Sequence, residues 1–164
     1  MLPHLIIRSS SIHAAGCYTT RPIRKGARVC EYDGPRLSKS EADRRYQDRI
    51  VTYLFSFGTA GSVIDGFGAA MFINHSCAPN CETLEEDERI FIIALRNIEP
   101  GEELTYEYHL HDSDSTDGTC HCGAPQCRGT MFSEAEVKRR NRREKRKAQA
   151  AKTTEKGREA FPSS

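Results

Sequence analysis

Residues 74–81 read NHSCAPNC, inside the longer run MFINHSCAPNCE at 71–82. Seven of the eight positions are polar, conformationally special or sulfur-bearing, which suits neither core filler nor ordinary surface. Taken alone, the stretch describes a turn with two thiols, Cys77 and Cys81. Its meaning depends on what the rest of the chain offers it.

At 164 residues the chain is the size of one ordinary domain with a tail. No apolar run approaches the roughly 18 residues of a membrane span, so no membrane association is expected. The start, MLPHLIIRSS, lacks the charged front and small-residue cleavage site of a secretory signal. An intracellular place is expected, cytoplasmic in a bacterium and nuclear in a eukaryote. The net charge of +1 conceals a division: residues 133–164 hold eleven Lys and Arg against five Asp and Glu, net +6, leaving net −5 for residues 1–132. An acidic body favours a basic partner by long-range attraction. The basic tail is read either as a solvated segment or as a contact for nucleic acid.

Outward from the opening stretch the pattern is one of short strands. Leu5 to Arg8 is a first strand, and SIHAAGCYTT at 11–20 reads as a loop of small residues that lets the backbone approach a ligand. ARVCEY at 27–32 is strand-like and ends at the turn Asp33-Gly34. Ser38 and Glu41 have capping-box spacing and open a charged surface helix through Arg49. TYLFSF at 52–57 sets Tyr53, Phe55 and Phe57 on one face; the two phenylalanines read as core, and Tyr53 as core or as a pocket lining. Ser62 to Asp65 is a further short strand. RIFIIALR at 89–96 is the most apolar run and reads as a buried central strand, followed by the turn at 99–102 and the strand ELTYEY at 103–108. Residues 109–119 read as a mobile polar loop. Beyond Ser133 a second capping box, Ser133 to Glu136, lacks an apolar stripe, so the tail is expected to be disordered or weakly helical.

Seven cysteines without an exported context favour metal ligation over disulfides. Cys120, Cys122 and Cys127 form C-x-C-x4-C, three thiolates of a tetrahedral zinc site that needs four. The fourth ligand could be His121, His111 or a distant cysteine, with Cys77 the candidate that would staple the C-terminal segment onto the domain.

NHSCAPNC at 74–81, GEELTYEY at 101–108 and CHCGAPQCRG at 120–129 together resemble the signature segments of SET-domain protein-lysine methyltransferases with a cysteine-rich post-SET segment, in the same order. Weaker likeness runs back through Tyr53, Ile64-Asp65 and KGARVCEYDG at 25–34 to SIHAAG at 11–16. The resemblance implies a mainly β SET-domain (β-clip) fold of short strands, a C-terminal pseudoknot and a post-SET zinc site. The divisions it implies are 1–115 for the SET domain, 116–132 for the post-SET segment and 133–164 for the tail. The activity implied is methyl transfer from S-adenosylmethionine to the ε-amine of a lysine in a protein, a histone or other basic protein among the candidates.

Residue by residue, the resemblance makes Tyr108 catalytic, lets Tyr106 govern how many methyl groups fit, and puts Tyr53 at the cofactor and lysine channel. It assigns His13, Ala15, Gly16, Tyr53, Asn74, His75, Tyr108, His121 and Phe132 to the cofactor, and Cys77, Cys120, Cys122 and Cys127 to zinc. Two positions depart from the family pattern: Ala14 stands where a Gly-x-Gly begins, and Met71 where an arginine precedes Phe-x-Asn-His. They motivate a second reading, a SET-like module that binds a lysine-bearing partner without catalysis.

Overall fold

The structure, a computed structural model, describes residues 4–49, 53–58, 61–110 and 118–159, with side chains to 150. Thr52, His111 and the proposed division at 115 lie outside the described residues. In chain order the elements are β1 (Leu5–Ser9), β2 (Ala15–Thr19), β3 (Arg28–Tyr32), β4 (Arg36–Ser38), α1 (Lys39–Tyr46), β5 (Leu54–Phe57), β6 (Ser62–Asp65), a 3-10 turn (Ala69–Phe72), β7 (Asn74–His75), β8 (Cys81–Glu86), β9 (Arg89–Ala94), β10 (Thr105–Tyr106) and α2 (Glu134–Glu159).

The strands form small sheets. β1 pairs with β2, β9 lies between β3 and β8, and β6 between β4 and β5, all antiparallel. The apolar run at 89–96 is thus a central strand, with Ile90 and Ile92 buried as period-two inward positions. Ile73, Ile98 and Leu104 join them in one core that also takes Cys17, Cys30 and Cys81. Ser38 caps α1 as its spacing predicts, its hydroxyl accepting from the Glu41 N–H at 3.2 Å. Among the described residues no helix is long and apolar enough to cross a membrane.

Two expectations change. Residues 15–19 form a strand, because Cys17 and Thr19 alternate into the core while β1 takes the ladder bonds; only the first part of SIHAAGCYTT is a loop. Within ELTYEY the strand is confined to Thr105–Tyr106, where β10 lies parallel to β7, and Glu103 adds an isolated antiparallel bridge to Tyr18. The tail is helical from Glu134 to Glu159. Its helix needs no apolar stripe: the Ser133 hydroxyl accepts from the Glu136 N–H at 3.2 Å, and Glu136 binds Arg139 and Arg140 one turn on.

The contact that positions the site is a clasp. The Asn80 side chain donates to the Glu103 carbonyl at 2.8 Å and accepts from the Thr105 N–H at 2.9 Å, and Ser76 N–H donates to the Tyr106 carbonyl at 3.2 Å. The opening stretch and the 103–108 segment are thereby locked side by side.

Candidate active site and metal centre

β5, the 3-10 turn and the end of β10 together wall a cavity of about 180 Å³ lined by Tyr53, Phe55, Met71, Tyr106, Tyr108 and Leu110, among others. The rings of Tyr106 and Tyr108 lie 4.8 Å apart, and Tyr53 tilts against Phe72 at 6.0 Å. The Tyr108 hydroxyl donates to the Ile73 carbonyl at 2.9 Å, and the Tyr32 hydroxyl to the Tyr53 carbonyl at 2.7 Å. Burial first, and neighbouring phenols second, push Tyr32, Tyr106 and Tyr108 above the ordinary phenol range. These phenols stay protonated near neutral pH, so they can desolvate and hydrogen-bond a guest but do not accept its proton.

Asn74 is buried and its side-chain nitrogen is used inside the protein. Its amide donates to Glu103 at 2.7 Å and to the Ala15 carbonyl at 2.9 Å. Glu103 also receives the hydroxyls of Ser10 at 2.8 Å and Tyr18 at 2.9 Å, so this one carboxylate ties β1, β2 and β7 together. Gly16 makes room for it: a Cβ there would lie 2.2 Å from Glu103 Oε1. The small residues 14–16, where the loop enters β2, therefore stand directly beside the opening stretch, and Ala14 holds a left-handed φ of 29°. His13 is exposed at the same turn.

His75 is 2% exposed, and both ring nitrogens face protein groups. The Tyr108 N–H donates to Nδ1 at 3.3 Å, which leaves the ring proton on Nε2, 3.5 Å from Cys77 Sγ. Burial lowers the His75 pKa below the usual imidazole range, offset in part by Glu107, so the ring is neutral. Glu107 lies 3.3 Å from Nδ1 and pairs with Arg128 at 2.6 Å.

The sulfurs of Cys77, Cys120, Cys122 and Cys127 all lie within 4.8 Å of one another, and Cys77 and Cys120 approach to 3.7 Å. A tetrahedral zinc with bonds of about 2.3 Å needs sulfurs roughly 3.8 Å apart, so the four thiols fit that ion. Main-chain N–H groups already point at the sulfurs: Cys77 to Cys122 and Arg128 to Cys77, both at 3.4 Å. Burial opposes ionisation of Cys122, but N–H donors from Cys77 and Ala124 and the adjoining thiols outweigh it and bring the pKa down to about 6. Among the described residues, Cys77 is the alternative fourth ligand brought to the cluster, while His121 is exposed. Cys81 lies elsewhere, in the core.

Phe132 is buried under the first turns of α2, with the Arg140 guanidinium 3.8 Å over its ring, and it bridges in parallel to Leu110 of the cavity wall. Glu103, Asn80, Glu107 and Arg128 were not legible as site residues. GEELTYEY reads as a turn and a strand, and nothing local says that Glu103 faces Ser10, 93 positions away.

A family model described as SET domain matches residues 14–109. The chain is 39% identical over 136 residues to "Histone-lysine N-methyltransferase, H3 lysine-4 specific" of Candida albicans, covering 74% of this chain and 13% of that protein. It is 37% identical over 141 residues to human "Histone-lysine N-methyltransferase 2D", covering 78% of this chain and 2% of that protein. With "Histone-lysine N-methyltransferase trithorax" of Drosophila virilis the identity is 40% over 130 residues, 73% of this chain and 3% of that protein. The chain thus spans only a small part of the length of these relatives.

Proposed function

The chain belongs to the SET-domain family, and on that footing we propose that it is a protein-lysine N-methyltransferase that uses S-adenosylmethionine and carries a structural zinc. The observation that carries the proposal is the tyrosine-lined cavity whose Tyr108 is joined through His75 to Cys77 of the four-thiol cluster. The substrate class we infer is a lysine in a basic protein, histones included, as the names of the relatives suggest. A histone substrate would place the chain in a nucleus.

S-adenosylmethionine supplies an electrophilic methyl on a sulfonium. The residues proposed to hold it are His13 of the preceding loop, Ala15 and Gly16 at the start of β2, Asn74 and His75 beside them, His121, and the rings of Tyr53, Tyr108 and Phe132. That β2 and Asn74 are joined by the bond to the Ala15 carbonyl supports one continuous wall. Asn74 and His75 shape this wall, since their side chains are engaged within the protein.

A lysine must be neutral to accept a methyl. Its ordinary pKa of about 10.4 makes deprotonation near pH 7.4 cost about 4 kcal/mol. Tyr53, Tyr106 and Tyr108 lower that cost by stripping water from the ammonium, which favours the neutral amine. They also hold the amine in line for transfer, and their hydroxyls accept weak C–H contacts from the methyl. The proton leaves to solvent, because the buried phenols are poor bases. The four thiolates around zinc would fix the 120–129 segment and, through His75, the main chain of Tyr108.

The test is transfer of a labelled methyl from S-adenosylmethionine to histones and other basic proteins by the purified chain. Tyr108→Phe should lower the rate by about two orders of magnitude with the fold intact. Absence of transfer by the wild type to every basic protein, or equal rates for the two, overturns the proposal.

A second reading follows from Ala14, whose positive φ of 29° falls where the family pattern has glycine. A non-catalytic lysine-binding module would bind basic peptides but not the cofactor. Calorimetry with each ligand separates the two.

A further inference from the structure

α2 is a charged helix with a polarised surface. Lys138, Arg139, Arg142, Arg143, Arg146 and Lys147 share one face with Ala135 and Ala150. They succeed one another at three- and four-residue steps, the spacing that stacks side chains on one side of a helix. Of the acids whose side chains are described, Glu136 is folded onto Arg139 and Arg140, Glu134 sits one turn before Lys138, and Glu144 is exposed outside this stripe. From Asn141 to Ala150 every side chain is exposed. At its start the helix is held to the body by Ser133 N–H on the Leu110 carbonyl, by Phe132 beneath Arg140, and by its cap.

We propose that this face docks duplex DNA through its phosphate backbone. From Lys138 to Lys147 the stripe is about 14 Å long, and the helix with its side chains is about 10–12 Å across, a width the major groove of about 12 Å admits. The face carries cations and alanines and no aromatic ring, so it offers nothing for unpaired bases to stack on and favours a duplex over a single strand. Arg and Lys without a set of amide side chains reaching for base edges suit contact with phosphates, independent of base sequence. The charge division sharpens the point. Residues 1–132 are net −5 and repel a polyanion, so attraction is confined to the tail, which is net +6. Cations four residues apart also repel one another along the helix, so a polyanion laid on the face relieves that repulsion and raises helicity. DNA contact at α2 does not depend on methyl transfer at the cavity.

The experiment uses the full chain and a fluorescent 20-base-pair duplex of arbitrary sequence, with anisotropy read between 50 and 200 mM salt. Binding should weaken with a log–log slope of about −4 to −5, as about five neutralised phosphates require. The triple variant R142Q/R146Q/K147Q should bind at least tenfold more weakly with a slope shallower by about 2.7, whereas R24Q/K25Q/R44Q, the same charge change on the body, should bind like the wild type. Circular dichroism should show helicity rising as the duplex is added. Equal losses in the two variants, a slope near zero, or binding to an acidic polypeptide but not to the duplex would each overturn the proposal, the last pointing to an acidic protein partner.

Discussion

The Nε2 nitrogen of His75 lies 3.5 Å from the sulfur of Cys77 while its Nδ1 accepts the Tyr108 N–H, so one imidazole joins the thiol cluster to the main chain of the tyrosine on the cavity wall. Partners of this kind orient a metal ligand and are worth about 10–100-fold in metal affinity. His75→Ala should lower zinc affinity by that factor in a chelator competition, and the amide resonance of Tyr108 should shift in the same variant.

Cys77 and Cys81 sit four residues apart and have different fates. Cys77→Ser should release zinc and weaken cofactor binding together, read by metal analysis and calorimetry. Cys81 is fully buried in the core, where burial pushes its thiol up to about 12. Cys81→Ser should keep the zinc and lose about 1–3 kcal/mol of stability, because a hydroxyl is then buried in a site shaped for sulfur.

Gly16 faces Glu103 with no room for a methyl. Gly16→Ala should displace the carboxylate from Ser10, Tyr18 and Asn74 and cost about 1–3 kcal/mol in denaturant unfolding. Gly26→Ala tests the other cause of glycine preference: its Cβ would meet nothing within 4 Å, and any loss there comes from its φ of 79° alone.

Tyr106 is nearly fully buried on the cavity wall. Tyr106→Phe removes one hydroxyl from that space. Under the proposed activity, the product should move from mono- toward di- and trimethyl-lysine, read by mass spectrometry of a methylated peptide.

Glu136 is held down from the ordinary 4.5 to about 2, chiefly by its hydrogen bond from Arg139 and then by Arg140. A carboxylate pKa depressed on folding contributes stability that is full above its unfolded value and is lost as pH falls through the folded one. The first turn of α2 should therefore begin to loosen below about pH 4.5 and be released near pH 2. Carboxyl NMR should find the Glu136 midpoint near 2, and Arg139→Gln with Arg140→Gln should raise it toward 4.5.

The parts of this protein that were legible are those whose signal is local. The capping box at Ser38, the apolar run that became β9 and the close thiols at 120–127 announce themselves within a few residues. The link from Cys77 to those thiols, 43 positions from Cys120, was read from a resemblance of motifs. What stayed hidden was every polar contact with a remote partner. Glu103 and Asn80 meet partners from distant parts of the chain, Ser10 for the one and the 103–105 segment for the other, and Glu107 meets Arg128. The start of α2 is marked locally too, by the Ser133 cap and by the pairs of Glu136 with Arg139 and Arg140 one turn on.

The Asn80 clasp also sets an order of events. Its bonds to Glu103 and Thr105 cannot form until β8 and β9 have turned the chain back, and parallel β7 and β10 share only two residues to repay the closure. Docking of 103–108 is therefore expected to be a late step in folding, with the post-SET segment later still, since it closes against Cys77 and Leu110. Tyr108 would then gain its place only in the finished molecule, and every partly folded form would be inactive. Pulse-labelled hydrogen exchange should find the Thr105 amide protected after those of β9; protection at the same time or earlier would refute that order.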